Sequence, residues 1–273
     1  MDFLFIIFGI IFLLTGLFSG FIAGLLGVGG GIIIVPITYF VLLNLGYNTN
    51  IIMHVAIASS LGVIVFTSLS SIYSHIKFQN IDLYVIKKWF LGIITGSLIG
   101  SYCASLINTY YLIIIFVTLL FLLSLNMFFQ KKTIIITNEF PHSSLKNSFI
   151  SNLIGFLSAL IGIGGGSFSV PILSAYKKPI HKAVGTSACI GFFIAFPAVI
   201  SYALLGRNIS DLPPYSIGYV NLTIVFLTAS TSIFSANIGA KLSTRTKTST
   251  LKKIFAVFLF CTCISLIIEH FIF

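Results

Sequence analysis

Residues 20–36, GFIAGLLGVGGGIIIVP, recur at residues 155–171 as GFLSALIGIGGGSFSVP, nearly position for position. A chain that carries one glycine-rich phrase twice is an internal duplication, which constrains it to two like units joined by a linker. Two further echoes extend the repeat. HVAIASS from His54 lines up with HKAVGTS from His181, and GSYCASL from Gly100 with GAKLST from Gly239. The offset drifts by a few residues between echoes, as changes in loop length produce.

The solvent for these units follows from composition. Of 273 residues, 58% are hydrophobic and 7% are charged, and the mean hydropathy is +1.12. No water-soluble domain of this length hides so much apolar surface, so the chain reads as a polytopic membrane protein. Apolar runs near the length of a bilayer crossing recur from end to end. The first half gives Phe3 to Leu26, Gly31 to Leu45, Ile51 to Tyr73, Leu83 to Ile107 and Tyr110 to Phe129. The second gives Phe149 to Ile161, Gly166 to Tyr176, Ala183 to Leu205, Ile217 to Ala240 and Ile254 to Phe273. The expected fold is all-α, with two inverted repeats of about five segments each, eight to ten in total. The expected organisation is one membrane transport domain over 1–273, with a first repeat at 3–130, a cytoplasmic basic linker at 131–147 and a second repeat at 148–273. No basic residue precedes the first apolar run, so that segment is expected to be retained and not cleaved as a signal.

Charge orients the segments. The net charge is +10, but its 15 Lys and Arg lie in short connections between apolar runs and not on one soluble face, which excludes nucleic acid as the partner. Lys and Arg in short loops stay on the cytoplasmic side. If every segment crosses with the N-terminus outside, fourteen of the fifteen face the cytoplasm and Arg207 alone lies outside. If the second segment of each half dipped and returned, KKPIHK and KLSTRTKTSTLKK would face away from the loops at Lys77 and Lys131. Five plus five is therefore the preferred reading, and an odd number of crossings per half inverts one repeat against the other.

The segment after each glycine cluster is short. As ideal helices, Gly31 to Leu45 would rise about 22 Å and Gly166 to Tyr176 about 16 Å, both under the roughly 30 Å of the hydrocarbon core. The vertices at Gly29, Gly30 and Gly31 and at Gly164, Gly165 and Gly166 are therefore expected below the membrane surface, one from each side. Broken backbone at that depth is tolerated where it is buried in protein or lines an aqueous cavity. A helix opening at a vertex points free N–H groups and a positive dipole end at it, which attracts anions. One such cluster reads as close helix packing; its recurrence at equivalent points, each with Val-Pro four residues on, favours a binding role. Ser59 and Ser60 match Thr186 and Ser187 in the third segment of each half, as neutral donors for an oxyanion or as hydroxyls bonded to their own helix. His54 and His181 precede them at matching positions, as gating or proton-linked groups or as interfacial histidines.

The five acidic residues fall at segment ends, loops or termini, which leaves no midspan carboxylate of the kind cation coupling uses. No G-x-x-x-x-G-K-[ST] loop is present, and GVGGG lacks the soluble βαβ setting of a dinucleotide site. Cys103, Cys189, Cys261 and Cys263 lie inside apolar segments and read as packing residues. No His, Cys and carboxylate cluster has metal-ligand spacing. The chain is therefore expected not to be an enzyme, to need no cofactor or metal, and to have a small anionic solute and membrane lipid as partners.

The paired G-[VI]-GGG-x-x-x-VP motifs, each followed by H-x-A-[IV]-[AG]-[ST]-S, resemble the TauE/SafE family of membrane transporters over essentially the whole chain. The resemblance implies export of a small anion such as sulfite, a sulfonate or another sulfur compound across the cell membrane. In the first half Ala58-Ser59 stands where many relatives read Gly-Thr, as Gly185-Thr186 does in the second. The expected function is a secondary transporter working by alternating access, with the site between the two vertices. The rival readings are an anion-selective channel and a non-transporting membrane scaffold.

Overall fold

The computed structural model describes residues 2–129, 140–141, 143–243 and 249–271. Most of the basic linker, with Lys131 and Lys132, and the loop residues Arg245 and Lys247 lie outside these. Among the described residues ten helices run in order: α1 (Asp2–Leu26), α2 (Gly31–Asn44), α3 (Thr49–Lys77), α4 (Leu83–Leu106), α5 (Thr109–Phe129), α6 (Ser144–Ile161), α7 (Gly166–Ala175), α8 (Ile180–Leu205), α9 (Leu222–Ser243) and α10 (Ser249–Phe271). Among the described residues, seven are long and apolar enough to cross a membrane, and α2 and α7 are shorter apolar helices. Their outward sides carry large apolar residues such as Leu91, Phe226 and Phe234, the surface a bilayer requires. The protein is an integral, multi-pass protein of the cell membrane.

Helix starts are set by side-chain caps. Asn48 accepts from the Asn50 amide, Asp82 from Tyr84 and Val85, Ser143 from Lys146 and Asn221 from Ile224, each satisfying an amide that lacks an intrahelical partner. Several helices extend past the apolar segments read from sequence. Polar flanks of α3 (Thr49, Asn50, His75, Lys77) and α6 (Ser144 to Ser148) are good enough helix formers to continue a helix that packing has already ordered. At the start of α9 the expected helix from Ile217 is instead a small antiparallel hairpin, β1 (Ser216–Ile217) with β2 (Val220–Asn221). Gly218, at φ +54, makes its turn.

Two ends of the bundle can be told apart by contact. At one, the His54 ring meets the carbonyls of Ala104 and Ile107, Thr109 donates to Asn50, and Leu45 and Tyr47 adjoin Pro213 and Tyr215. At the other, Lys178 pairs with Asp82, and Phe140 packs on Tyr84, Trp89 and Tyr176. The second end gathers Lys77, Lys87, Lys88, Lys146, Lys177, Lys178, Lys182 and Lys241 by their places at its helix ends and loops, whereas Arg207 lies at the first. We call these the basic end and the opposite end.

The halves are interleaved. Helix α1 packs along α9 and α4 along α6, each pair running parallel, while α3 packs on α8 and α5 on α10. Glycines bring the parallel pairs together. On α1, Gly16, Gly20 and Gly24 lie on Thr228, Ser232 and Ala236 in turn; on α4, Gly92, Gly96 and Gly100 lie on Ser151, Asn152 and Phe156. One glycine every four residues makes a smooth ridge on which a second backbone can lie, the usual means of joining helices where no hydrophobic effect acts between them.

Candidate functional site: two glycine turns and the cavity beneath them

Helices α1 and α6 both end on a glycine in the left-handed region, Gly27 and Gly162, each at φ +70. This conformation is open to glycine and costly for other residues. The chain then turns back into α2 or α7. Helix α2, 14 residues, returns to the opposite end, and α7, 10 residues, returns to the basic end. The two turns meet inside the bundle. A Cβ on Gly29 would stand 2.7 Å from the Gly164 Cα, a methyl on Gly31 would run into the Gly162 carbonyl, and one on Gly166 into the Gly27 carbonyl. The last two contacts exchange when the halves are exchanged.

Each hydroxyl expected from the sequence supports this crossing. The Ser60 hydroxyl donates to the Gly162 carbonyl at 2.9 Å, and that of Ser187 to the Gly27 carbonyl at 3.0 Å. Ser59 accepts from the Asn221 amide at 3.0 Å, and Thr186 from the Asp82 amide at 2.9 Å. Asn221 and Asp82 are the N-caps of α9 and α4, so the second pair of hydroxyls fastens each cap to the helix of the other half.

A small cavity, of about 20 Å³, opens at the crossing. Gly27, Gly29, Gly164, Gly165 and Gly166 line it, with Ser187 from α8 and Thr67, Ser68 and Ser71 from α3. No side chain caps the N-terminus of α7 at Gly165, and that end opens on the cavity. The N-terminus of α2 is also without a side-chain cap, but it faces protein: Gly30 abuts Ser19, and Gly31 abuts Ser60 and Ile163. Of the residues expected at the site, the structure therefore brings Gly29, Gly164, Gly165, Gly166 and Ser187 to one cavity. It places Gly30, Gly31, Ser59, Ser60 and Thr186 in the surrounding framework. Thr67, Ser68 and Ser71 were missed because their counterparts in the second half are Ile194, Ala195 and Ala198, so the repeat gives no signal for them.

The histidines lie apart from the cavity. His54 is buried; its Nε2 lies 3.1 and 3.0 Å from the carbonyls of Ala104 and Ile107, and its ring stacks on Tyr219. One ring nitrogen thus ties down the frayed end of α4. His181 is exposed at the basic end. There the Lys178 Nζ lies 2.6 Å from Asp82. Burial pushes the Asp82 carboxyl up, but the bond from Lys178, the amides of Val85 and Tyr84 and the Lys178 charge outweigh it and hold the group below the ordinary carboxylate value. Among the described residues, no three His, Cys, Asp or Glu side chains are grouped as metal ligands.

Glycine backbone and hydroxyls line this cavity together with Ala23, Ile64 and Ala188, and no carboxylate is among the lining residues. The family described as "Sulfite exporter TauE/SafE" matches residues 12–266. A protein of Haemophilus influenzae named "Probable membrane transporter protein" is 31% identical over 94% of this chain and 97% of its own length. One of Bacillus subtilis with the same description is 29% identical over 95% of this chain and 97% of its own. A Methanocaldococcus jannaschii protein, again described as a membrane transporter, is 30% identical over 85% of each chain. No solved structure matches.

Proposed function

The chain belongs to the TauE/SafE family of membrane transporters, and from that premise we propose that it is a secondary transporter moving a small anion by alternating access. The substrate is sulfite, a sulfonate or another sulfur oxyanion, held at the cavity where the glycine turns cross. One observation carries the reading: the uncapped N-terminus of α7 opens on a cavity that is otherwise furnished with hydroxyls. A helix N-terminus presents unpaired N–H groups and roughly half a positive charge. Hydroxyls complete a neutral shell that replaces an anion's water without binding it too tightly to release. The halves act as inverted repeats of five segments each, and rocking one against the other about the crossing exposes the site to each side in turn. The basic end is cytoplasmic by the retention of Lys and Arg.

The test is counterflow of radiolabelled sulfite into proteoliposomes, with sulfate, thiosulfate, a sulfonate and choline as competitors. A transporter gives saturable uptake that trans sulfite accelerates, anions compete with and choline does not. Anion current without saturation would make the protein a channel. Absence of both uptake and binding across the anion panel would leave a scaffold.

A further inference from the structure

Helices α3 and α8 occupy corresponding places in the two halves, and continuing the register that pairs Ser60 with Ser187 sets Ser71 against Ala198 and His75 against Tyr202. The pairs differ in how closely they are held. Tyr202 is fully buried and its hydroxyl donates to the Ala159 carbonyl at 3.1 Å. The counterpart of Ala159 is Gly24, and its main chain is the hydrogen-bonding partner that the His75 ring faces. That contact is a loose one: the imidazole is fully buried, and neither ring nitrogen reaches the main chain with close hydrogen-bond geometry. The Ser71 hydroxyl, which lines the cavity, is buried without a partner. An unsatisfied buried polar group costs about 1–3 kcal/mol, and native proteins rarely leave one without water or a ligand to satisfy it. Ser71 is such a group, and the loosely held His75 stands one helical turn beyond it, on the side of α3 that carries Thr67.

Residues spaced by four share a helix face, so Thr67, Ser71 and His75 form a polar row rising about 12 Å along the axis. The row begins at the cavity and stops two residues short of Lys77 at the basic end. On α8 the matching positions are Ile194, Ala198 and Tyr202, buried as the α3 row is, but two of the three are apolar and no polar row runs along that face.

We infer that the row Thr67, Ser71 and His75 on α3 is the passage by which a small oxyanion moves between the glycine cavity and the basic end, with His75 its last partner before the surface. This rests on the transport reading above. The imidazole N–H and the Ser71 hydroxyl can each donate to an oxyanion as it sheds its water, Thr67 can do so by exchanging its bond to the Val63 and Ile64 carbonyls, and the lysines beyond concentrate anions at the mouth. The corresponding face of α8 offers no such row of donors.

The test reads the passage without needing the true substrate. In a variant whose native cysteines are replaced by serine or alanine, S71C and A198C are reacted in sided vesicles with two membrane-impermeant methanethiosulfonates, one bearing a sulfonate and one a trimethylammonium. L145C reports the basic end and Y215C the opposite end, both positions being highly exposed. S71C is expected to react from the basic end only, with the sulfonate reagent faster by about tenfold, the lower range of electrostatic focusing. A198C should stay unreactive from both ends. Adding H75L to S71C should slow the reaction while H75Q preserves it. Failure of S71C to react while L145C does, equal reaction from both ends, or no preference for the anionic reagent would each overturn the passage. Should S71C behave as expected while sulfite uptake fails, the passage stands and the choice of substrate falls.

Discussion

The two halves build the same crossing and then part company on either side of it. Around the turns the correspondence is close: Ser60 to Gly162 answers Ser187 to Gly27, Ser59 to Asn221 answers Thr186 to Asp82, and Gly31 and Gly166 are pressed against equivalent carbonyls. Along the next two turns of α3 and α8 it fails, with hydroxyls and a loosely held imidazole on one side and Ile194, Ala198 and a closely bonded Tyr202 on the other. The difference separates two kinds of work. Shared features fix a buried break in the backbone, a problem each half faces identically because each must satisfy carbonyls at membrane depth. Unshared features furnish a route for a solute, which needs to be open on only one side at a time.

The largest effect is expected where the halves are most alike. Gly31→Ala and Gly166→Ala each drive a methyl into the carbonyl of the facing turn, an overpacking of backbone that has no side chain to yield. Each should cost about 3 kcal/mol or more, read as a fall in Tm in detergent, and abolish sulfite uptake. Gly9→Ala, where nothing lies within 4 Å, should leave Tm unchanged. A marked difference between Gly31→Ala and Gly166→Ala would break the correspondence at the crossing.

Next come the paired serines. Ser60→Ala and Ser187→Ala each strand one buried carbonyl and should destabilise by about 1–3 kcal/mol. Only Ser187 lines the cavity, so only its replacement should raise the KM for sulfite, by about tenfold for the loss of about 1.4 kcal/mol of binding. An equal rise in both variants would show that the site reaches Ser60 as well.

A smaller and opposite effect is expected at Ser71. Removing a buried hydroxyl that has no protein partner should raise Tm slightly, by about 1 kcal/mol of stability at most, while slowing sulfite uptake. Ala198→Ser should do the reverse on stability and nothing for uptake.

The smallest effect distinguishes the two caps. Asp82 has its carboxyl held below the ordinary value, so its contribution is present above the carboxylate value of the unfolded chain and is lost as pH falls through the lower value of the folded one. The pair with Lys178 is partly exposed, and screening limits it to about 1 kcal/mol or less. Acidification should therefore speed amide exchange at Tyr84 and Val85 while Ile224, held by the uncharged cap Asn221, keeps its rate; Asp82→Asn should remove the contrast.

Much of this was legible in the sequence, for a physical reason. A break in a helix at membrane depth demands glycine, and a duplicated break demands it twice, so Gly29 and Gly164 announced themselves. Apolar length and the placement of lysines gave the helices and their ends. What the hydroxyls of Ser59, Ser60, Thr186 and Ser187 do was not legible, since their partners Asn221, Gly162, Asp82 and Gly27 lie a hundred residues or more away and are main-chain atoms, which carry no residue-type signal. The role of His54 is hidden the same way behind the carbonyls of Ala104 and Ile107. Thr67, Ser71 and His75 escaped notice because they break the repeat, and in a helix as apolar as α3 three polar residues spaced by four barely alter hydropathy. Departures from an internal repeat were as informative as its agreements.

Central to the account is that an anion occupies the space between Gly29 and the N-terminus of α7. Selenite, a heavier analogue of sulfite, tests this by its anomalous scattering in crystals of the protein. The expected result is a peak within hydrogen-bond reach of the Ser187 hydroxyl and the Gly165 and Gly166 amides, lost in Ser187→Ala at the same selenite concentration. Selenite that competes with sulfite for uptake but gives its peak elsewhere, with the cavity at the crossing empty, would contradict it.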